Sequence, residues 1–293
     1  MINRICISTI NHCNLACKYC HFHEKSEIKE AQMDIFKILD NVKDYVRVKL
    51  EEIGQAEGHQ AEEEQAEGNS PRPFFKIGFV GNGEAFLEWD KLKSYIAYLE
   101  DSPYISAYTI TNGTVNLADA DWKFLEEHGI NVGFSIDGYK ELHNKNRCNS
   151  FERAMENVEN YRKLTGHYPT FNATVGRDSL ENADRVIEFF SPFGVRITFS
   201  RMIGKYGISL AEYRDFLKKA SKRLELRSGG LDCTMYGGKC GAGTNNYFFA
   251  NGNVYFCGNC IDLPPVAKSD ISFFELEKMS LDFDRNYCYK ESL

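Results

Sequence analysis

Cysteine is the residue type whose placement in this sequence most plainly implies chemistry. Ten are present. Three stand at Cys13, Cys17 and Cys20 and five at Cys233, Cys240, Cys257, Cys260 and Cys288, while Cys6 and Cys148 lie apart. The N-terminus carries no signal-peptide pattern, so the expected setting is the cytoplasm, where thiols stay reduced and disulfides are not the natural use of cysteine. Cys13, Cys17 and Cys20 have CxxxCxxC spacing, which accident would produce on the order of once in a hundred chains of this cysteine content. Three thiolates on one short loop can hold one face of a cubane iron–sulfur cluster. The fourth iron is then left open for another ligand. A zinc ion completed by His12, His21 or His23 is the alternative use of the same thiolates.

The second group is organised by a hairpin. Tyr247-Phe248-Phe249 and Val254-Tyr255-Phe256 flank Asn251-Gly252-Asn253, a turn sequence that tolerates positive φ. Folding there brings Cys240 and Cys257 to one end, within reach of one metal centre. Cys260 completes a local CxxC and is the choice for a further ligand, with Cys288 as its competitor. Structural zinc on four cysteines remains the alternative. Cys6, inside a strand, reads as a small buried hydrophobe, and Cys148 as inert.

These loops need elements to position them, and the chain supplies a repeating pair. Short β-rich runs at Ile5–Thr9, Phe75–Val80, Tyr108–Thr111, Val132–Ile136, Thr170–Val175 and Ile197–Ser200 alternate with amphipathic stretches. The predicted helices are Asp34–Leu50, Asp90–Leu99, Leu117–His128, Phe151–Leu164, Leu180–Phe190 and Ala211–Leu224. Six β-then-α units predict an α/β fold with a parallel barrel or an open part of one. Chemistry in that architecture sits on the loops after the strands, which is where Cys13–Cys20 falls.

Net charge is −7, but seven glutamates between Glu51 and Glu67 account for it, and setting them aside leaves 35 acidic against 35 basic residues. No basic surface for nucleic acid is expected, and no apolar run is long enough for a membrane span. The Glu/Gln/Ala/Gly-rich stretch over 51–73 reads as a flexible acidic surface insertion. Helical periodicity stops at Arg227-Ser228-Gly229-Gly230, which divides the chain into domains 1–227 and 228–293.

Cys13-Asn14-Leu15-Ala16-Cys17-Lys18-Tyr19-Cys20 resembles the signature of the radical S-adenosylmethionine (radical SAM) superfamily, in which an aromatic residue precedes the last cysteine. Further segments match that family in order. Gly81-Asn82-Gly83-Glu84 resembles its GGE motif, with Asn82 departing from the usual glycine. Thr111-Asn112-Gly113, Ser135-Ile136-Asp137-Gly138, and His143 to Arg147 followed by Ser150-Phe151 resemble the later ones. The resemblance implies a partial (β/α)6 TIM-like barrel with a small C-terminal iron–sulfur domain containing a β-hairpin. It implies a [4Fe-4S] cluster on Cys13, Cys17 and Cys20 whose free iron binds S-adenosylmethionine (SAM). Tyr19, Gly83, Glu84, Ser135 and Arg147 become the SAM-binding candidates. Cys240 through Gly252 to Cys257 resembles the element opening the family's twitch and SPASM domains. Cys233 resembles their upstream ligand. An auxiliary [4Fe-4S] cluster on Cys233, Cys240, Cys257 and Cys260 follows.

The same resemblance implies reductive cleavage of SAM to a 5′-deoxyadenosyl radical, with reduced flavodoxin or ferredoxin as electron donor. It is closest to the branch that modifies ribosomally made peptides by hydrogen abstraction, forming a cross-link or an oxidised residue. With its first strand at the start of the chain, a peptide substrate is expected to dock on the barrel, on the acidic insertion or on a separate carrier. Sulfatase-maturing relatives place an aspartate after the hairpin cysteine as a base. Gly258 stands there, which disfavours that oxidation and leaves Tyr236, Asp262 and His143 as unranked bases. A twitch-type dehydrogenase of a small alcohol or amino sugar is the second expectation, and a non-catalytic zinc-binding interaction module the third.

Overall fold

The computed structural model describes residues 1–20, 33–57, 73–226, 241–279 and 281. Strands β1 (Arg4–Ile7), β2 (Phe75–Phe79), β3 (Ile105–Thr111), β4 (Asn131–Ser135), β5 (Thr170–Val175) and β6 (Ile197–Arg201) pair side by side in chain order, all parallel. The helices between them are α1 (Ile35–Glu57), α2 (Trp89–Ala97), α3 (Asp119–Glu127), α4 (Lys140–Asn146), α5 (Phe151–Thr165), α6 (Arg177–Glu181) and α7 (Ala183–Phe190), with α8 (Leu210–Ala220) after β6. The expected six-unit α/β pattern is therefore present as an open sheet, a partial barrel.

Strand alternation explains its two faces. Ile5, Ile7, Ile77, Phe79, Val132, Phe134, Phe171, Val175, Ile197 and Phe199 are buried against the helices. Each such side chain contributes about 1.5–3 kcal/mol by leaving water. Trp122 of α3 stacks on Phe134 and meets Phe86 and Tyr161 edge-on, tying three βα units together. The intervening residues Arg4, Cys6, Lys76, Tyr108, Asn172 and Thr174 are only half-buried and give the opposite face its polar character.

Three findings depart from the sequence reading. Helix α1 continues to Glu57, so the acidic stretch begins as helix; Glu, Gln and Ala are good helix formers, and Gly54 alone does not stop them. Residues 58–72 lie outside the described set, as does the domain boundary at 227/228. The hairpin β7 (Asn246–Ala250) and β8 (Asn253–Tyr255) is present, yet β7 pairs in parallel with β1 and continues the barrel sheet, with β9 (Ala267–Lys268) completing the edge. Such a long-range pairing leaves no local pattern. Cys6 is half-buried rather than enclosed, its sulfur 3.3 Å from the Tyr108 hydroxyl. Among the described residues no helix is long and apolar enough to cross a membrane.

Candidate active site

The Cys13–Cys20 loop has little regular structure of its own and is shaped by its neighbours. Ser8 accepts the Asn82 amide at 2.9 Å and donates to the Ile10 carbonyl at 3.1 Å. The Glu84 amide donates to the His12 carbonyl at 3.0 Å. A Cβ on Gly81 would lie 2.5 Å from Ser8 Oγ, and one on Gly83 would overlap the His12 carbonyl. Both glycines are thus required by close approach of the β1 and β2 loops, and neither has a positive φ. Asn82, where the sequence motif departs, donates to Asn11 at 3.4 Å, and Asn11 donates to Asn251 in the hairpin turn.

Glu84 is buried beneath this loop. Its carboxylate accepts from Thr111 Oγ1 at 2.9 Å, the Asn112 amide at 2.6 Å and the Phe86 amide at 3.2 Å. Burial pushes its pKa up, opposed by those donors and by Arg147. Asn112 also donates to Asn14 and approaches Cys13 Sγ at 3.6 Å.

A second knot lies at the end of β4. Asp137, fully buried, accepts from the Tyr19 hydroxyl at 2.8 Å and the Thr174 amide at 3.1 Å. Arg147 lies over the Tyr19 ring at 5.4 Å, its Nε 3.1 Å from Asp137 Oδ1. That Nε is buried and faces the carboxylate as an ion pair. Burial works against the Arg147 charge, but the Asp137 carboxylate holds it protonated. Behind it, the Asp137 amide donates to His143 Nδ1, so Nε2 carries the proton toward Ser150 Oγ at 3.0 Å, and Ser150 donates to the Arg147 carbonyl at 2.6 Å. Burial lowers the His143 pKa to about 4. With both nitrogens engaged, His143 supports the Arg147 loop and is poorly placed as a base. Ser135 is half-buried at the end of β4, opposite Asn172. Asp262 is exposed. Cys148 is also exposed, at φ 54° beside Arg147, and Tyr236 lies outside the described residues.

Cys17 is pushed up to about 12, by burial first, and Cys13 is raised for the same reason. The thiols of Cys13, Cys17 and Cys20 feel one another's charge, yet among the described residues no three Cys, His, Asp or Glu side chains converge on a single-ion site. A multi-iron cluster needs thiolates that surround it rather than meet at one point, and this donor set suits that. His12 is exposed and serves through its carbonyl; His21 and His23 lie outside the described residues. Beside the loop, a cavity of about 200 Å³ is lined by Tyr19, Asn146, Gly176, Met202 and Tyr206. Asp137, Gly176 and Met202 were not singled out as site residues from sequence; the buried acid within Ser135-Ile136-Asp137-Gly138 was the available signal.

At the second group, Cys257 and Cys260 lie on a short 3-10 turn, Gly258–Cys260, their thiols hydrogen-bonded. The Cys260 amide donates to the Cys257 carbonyl at 3.0 Å, and the amides of Gly258 and Asn259 donate to the Cys257 sulfur. The Cys260 contact and burial both raise the Cys257 pKa. Cys233, Cys240 and Cys288 lie outside the described residues.

Residues 7–190 match the family model for the radical SAM superfamily, and the chain belongs to that superfamily. It is an enzyme of the class that uses a [4Fe-4S] cluster and S-adenosylmethionine. It is 25% identical over 232 residues to a cysteine-type anaerobic sulfatase-maturating enzyme of Clostridium novyi (strain NT), covering 71% of this chain and 56% of that one. The corresponding enzyme of Clostridium perfringens (strain 13) is 27% identical, over 70% of this chain and 55% of its own. The chain thus spans a little over half the length of these relatives. Among solved structures, native anSMEcpe with bound AdoMet superposes with a TM-score of 0.67 at 22% identity, covering 94% of this chain and 80% of that one. SuiB of Streptococcus suis bound to precursor peptide SuiA gives 0.68 at 13% identity, covering 96% and 65%. These two likenesses concern the fold.

Proposed function

We propose that this chain is a peptide maturase: it abstracts hydrogen from a ribosomally made peptide and leaves a cross-link or an oxidised residue. The observation that carries the proposal is the joining of the cysteine loop to Arg147 through Tyr19 and Asp137. Cys13, Cys17 and Cys20 would hold the cluster, which when bound supplies the electron that cleaves SAM to a 5′-deoxyadenosyl radical. The buried Arg147 guanidinium, held against Asp137 through its Nε, would offer its remaining N–H groups to the SAM carboxylate. Gly83 and Glu84 would frame the methionyl end of SAM, Ser135 its ribose, and the cavity beside Tyr19 its adenine. Asp137 keeps Arg147 charged and oriented, and His143 with Ser150 fixes the loop that carries it.

Cys257 and Cys260, with Cys233 and Cys240, would hold an auxiliary [4Fe-4S] cluster; amides aimed at a cysteine sulfur suit a ligating thiolate. Support for a peptide substrate comes from the relatives: one group is named for maturing sulfatases, and SuiB was solved with its precursor peptide. Gly258 in place of the aspartate of sulfatase-maturing enzymes favours a different outcome from theirs. Reduced flavodoxin or ferredoxin in the cytoplasm would deliver the electron.

The test is anaerobic reconstitution followed by SAM and dithionite. About eight irons per chain, 5′-deoxyadenosine, and a mass change in a peptide encoded beside the gene are expected. Colourless zinc protein that leaves SAM intact would overturn the proposal.

A further inference from the structure

The outer edge of the cysteine loop carries charge that the SAM site does not use. Exposure alternates along the loop: His12, Asn14, Ala16 and Lys18 are exposed, whereas Cys13, Leu15, Cys17 and Tyr19 are half-buried. One thickness of chain therefore separates solvent from the thiols that would hold the cluster. Lys18 follows Cys17 directly, and its amide donates to the Asn146 carbonyl at 2.9 Å, which fixes it against α4. The turn Gly204–Tyr206 after β6 reaches the same place, with Gly204 at φ 67°. Lys18 Nζ lies over the Tyr206 ring at 4.9 Å, and Lys205 Nζ over the same ring at 5.4 Å. An aromatic ring attracts cations without cancelling their charge. Neighbouring cations are neutralised. Lys145 pairs with Asp178 at 2.7 Å and Arg177 with Glu212 at 2.6 Å, and Glu181 bears on both. Among the described residues neither Lys18 nor Lys205, both exposed, has an acidic partner.

We infer that Lys18, Lys205 and Tyr206 are the docking surface for an acidic flavodoxin that reduces the cluster, a step that rests on the radical chemistry and electron donor proposed above. With SAM on the open iron, the electron has to arrive from the thiolate side, and there Lys18 is one peptide bond from Cys17. The donor is oxidised by one electron and the cluster reduced by one; no bond forms or breaks. In a chain of net charge −7, an acidic partner is repelled by most of the surface, so a local pair of uncompensated cations decides where it lands. The Tyr206 ring between them offers an aromatic contact to the planar edge of a flavin. Electron-transfer encounters are weak and bury less than about 1,200 Å², so a patch this small suffices as the centre of one.

Binding of fluorescein-labelled flavodoxin to the iron-loaded protein, followed by anisotropy under anaerobic conditions at low salt, tests the surface. Lys18→Glu combined with Lys205→Glu is expected to weaken binding at least about tenfold. Lys18→Arg combined with Lys205→Arg should bind as the parent does, which separates charge from fold. Parent binding should itself weaken as salt is raised, because exposed charges are screened. Dithionite is a small reductant that needs no docking surface. The rate of 5′-deoxyadenosine formation with reduced flavodoxin, divided by the rate of the same variant with dithionite, should therefore fall along with the affinity. Equal binding by the parent and the folded Glu variant, binding indifferent to salt, an unchanged rate ratio, or tighter binding of a ferredoxin overturns the inference. SAM cleavage with dithionite but none with flavodoxin overturns the docking surface alone, whereas none with either reductant counts against the function proposed above as well.

Discussion

The two cysteine regions flank adjacent strands, β1 and β7, and are built by opposite means. Cys257 and Cys260 sit on a turn whose own amides point at the sulfur, so the geometry is written into four consecutive residues. The Cys13–Cys20 loop takes its shape from elsewhere: His12 from Gly83 and Glu84, Cys13 from Asn112, and Tyr19 from Asp137. A locally encoded turn tolerates change around it. A loop held by three βα units transmits changes made far away in sequence, and this contrast sets the order of the expected effects.

The largest effect separates the two regions outright. Cys17→Ala is expected to abolish 5′-deoxyadenosine formation, whereas Cys257→Ala should leave SAM cleavage measurable and stop product formation. Full SAM cleavage by the Cys17 variant, assayed anaerobically with dithionite, would falsify the division of labour.

Next comes a residue that ligates nothing. Asp137→Asn keeps the shape but removes the charge facing buried Arg147, and breaking such a pair costs about 3–5 kcal/mol. SAM cleavage should fall by about a hundredfold or more, with KM for SAM raised because Arg147 is no longer held. Wild-type kinetics would mean that the loop does not depend on β4.

A pH measurement probes the same end. His143 has a folded pKa of about 4 against 6.5 when exposed, so the unfolded chain binds more protons between those values. Stability is then full above pH 6.5 and is lost as pH falls toward 4, by about 3 kcal/mol from this group. Urea unfolding of cluster-free protein at pH 7 and 4.5 should show the loss, and His143→Gln should flatten the slope. An unchanged slope would place the acid sensitivity elsewhere.

The contrast between local and distributed construction also explains what the sequence made legible. Strand Thr170–Val175 and the Asn251-Gly252 turn were readable because alternation and turn chemistry are local. The motif order pointed to Glu84 and Arg147 as site residues, and the structure places them beneath and beside the cysteine loop. Asp137 escaped notice as a keystone because its role exists only once Tyr19, Thr174 and Arg147 arrive from three other parts of the chain. The β1–β7 pairing is equally silent in sequence, joining residues more than two hundred positions apart. Helix α4, which carries His143, is seven residues long and too short for periodicity to show.

The smallest predicted effect concerns a side-chain thread between the regions. Asn251 occupies the hairpin turn at φ 52°, followed by Gly252 at φ 72°, and its side-chain oxygen accepts from Asn11, which in turn accepts from Asn82. Glycine suits a left-handed position, so Asn251→Gly should keep the turn while deleting the carboxamide. The loss is one partly buried hydrogen bond, about 1 kcal/mol, felt at the cysteine loop rather than in the hairpin. Asn251→Asp preserves the acceptor and should behave as wild type. The readout is the electron paramagnetic resonance spectrum of the reduced cluster with SAM, alongside thermal unfolding. A shifted spectrum in the Gly variant, restored in the Asp variant, would show that the locally built hairpin steadies the loop that cannot shape itself. Identical spectra in all three proteins would mean that the two regions, though neighbours in one sheet, are mechanically independent.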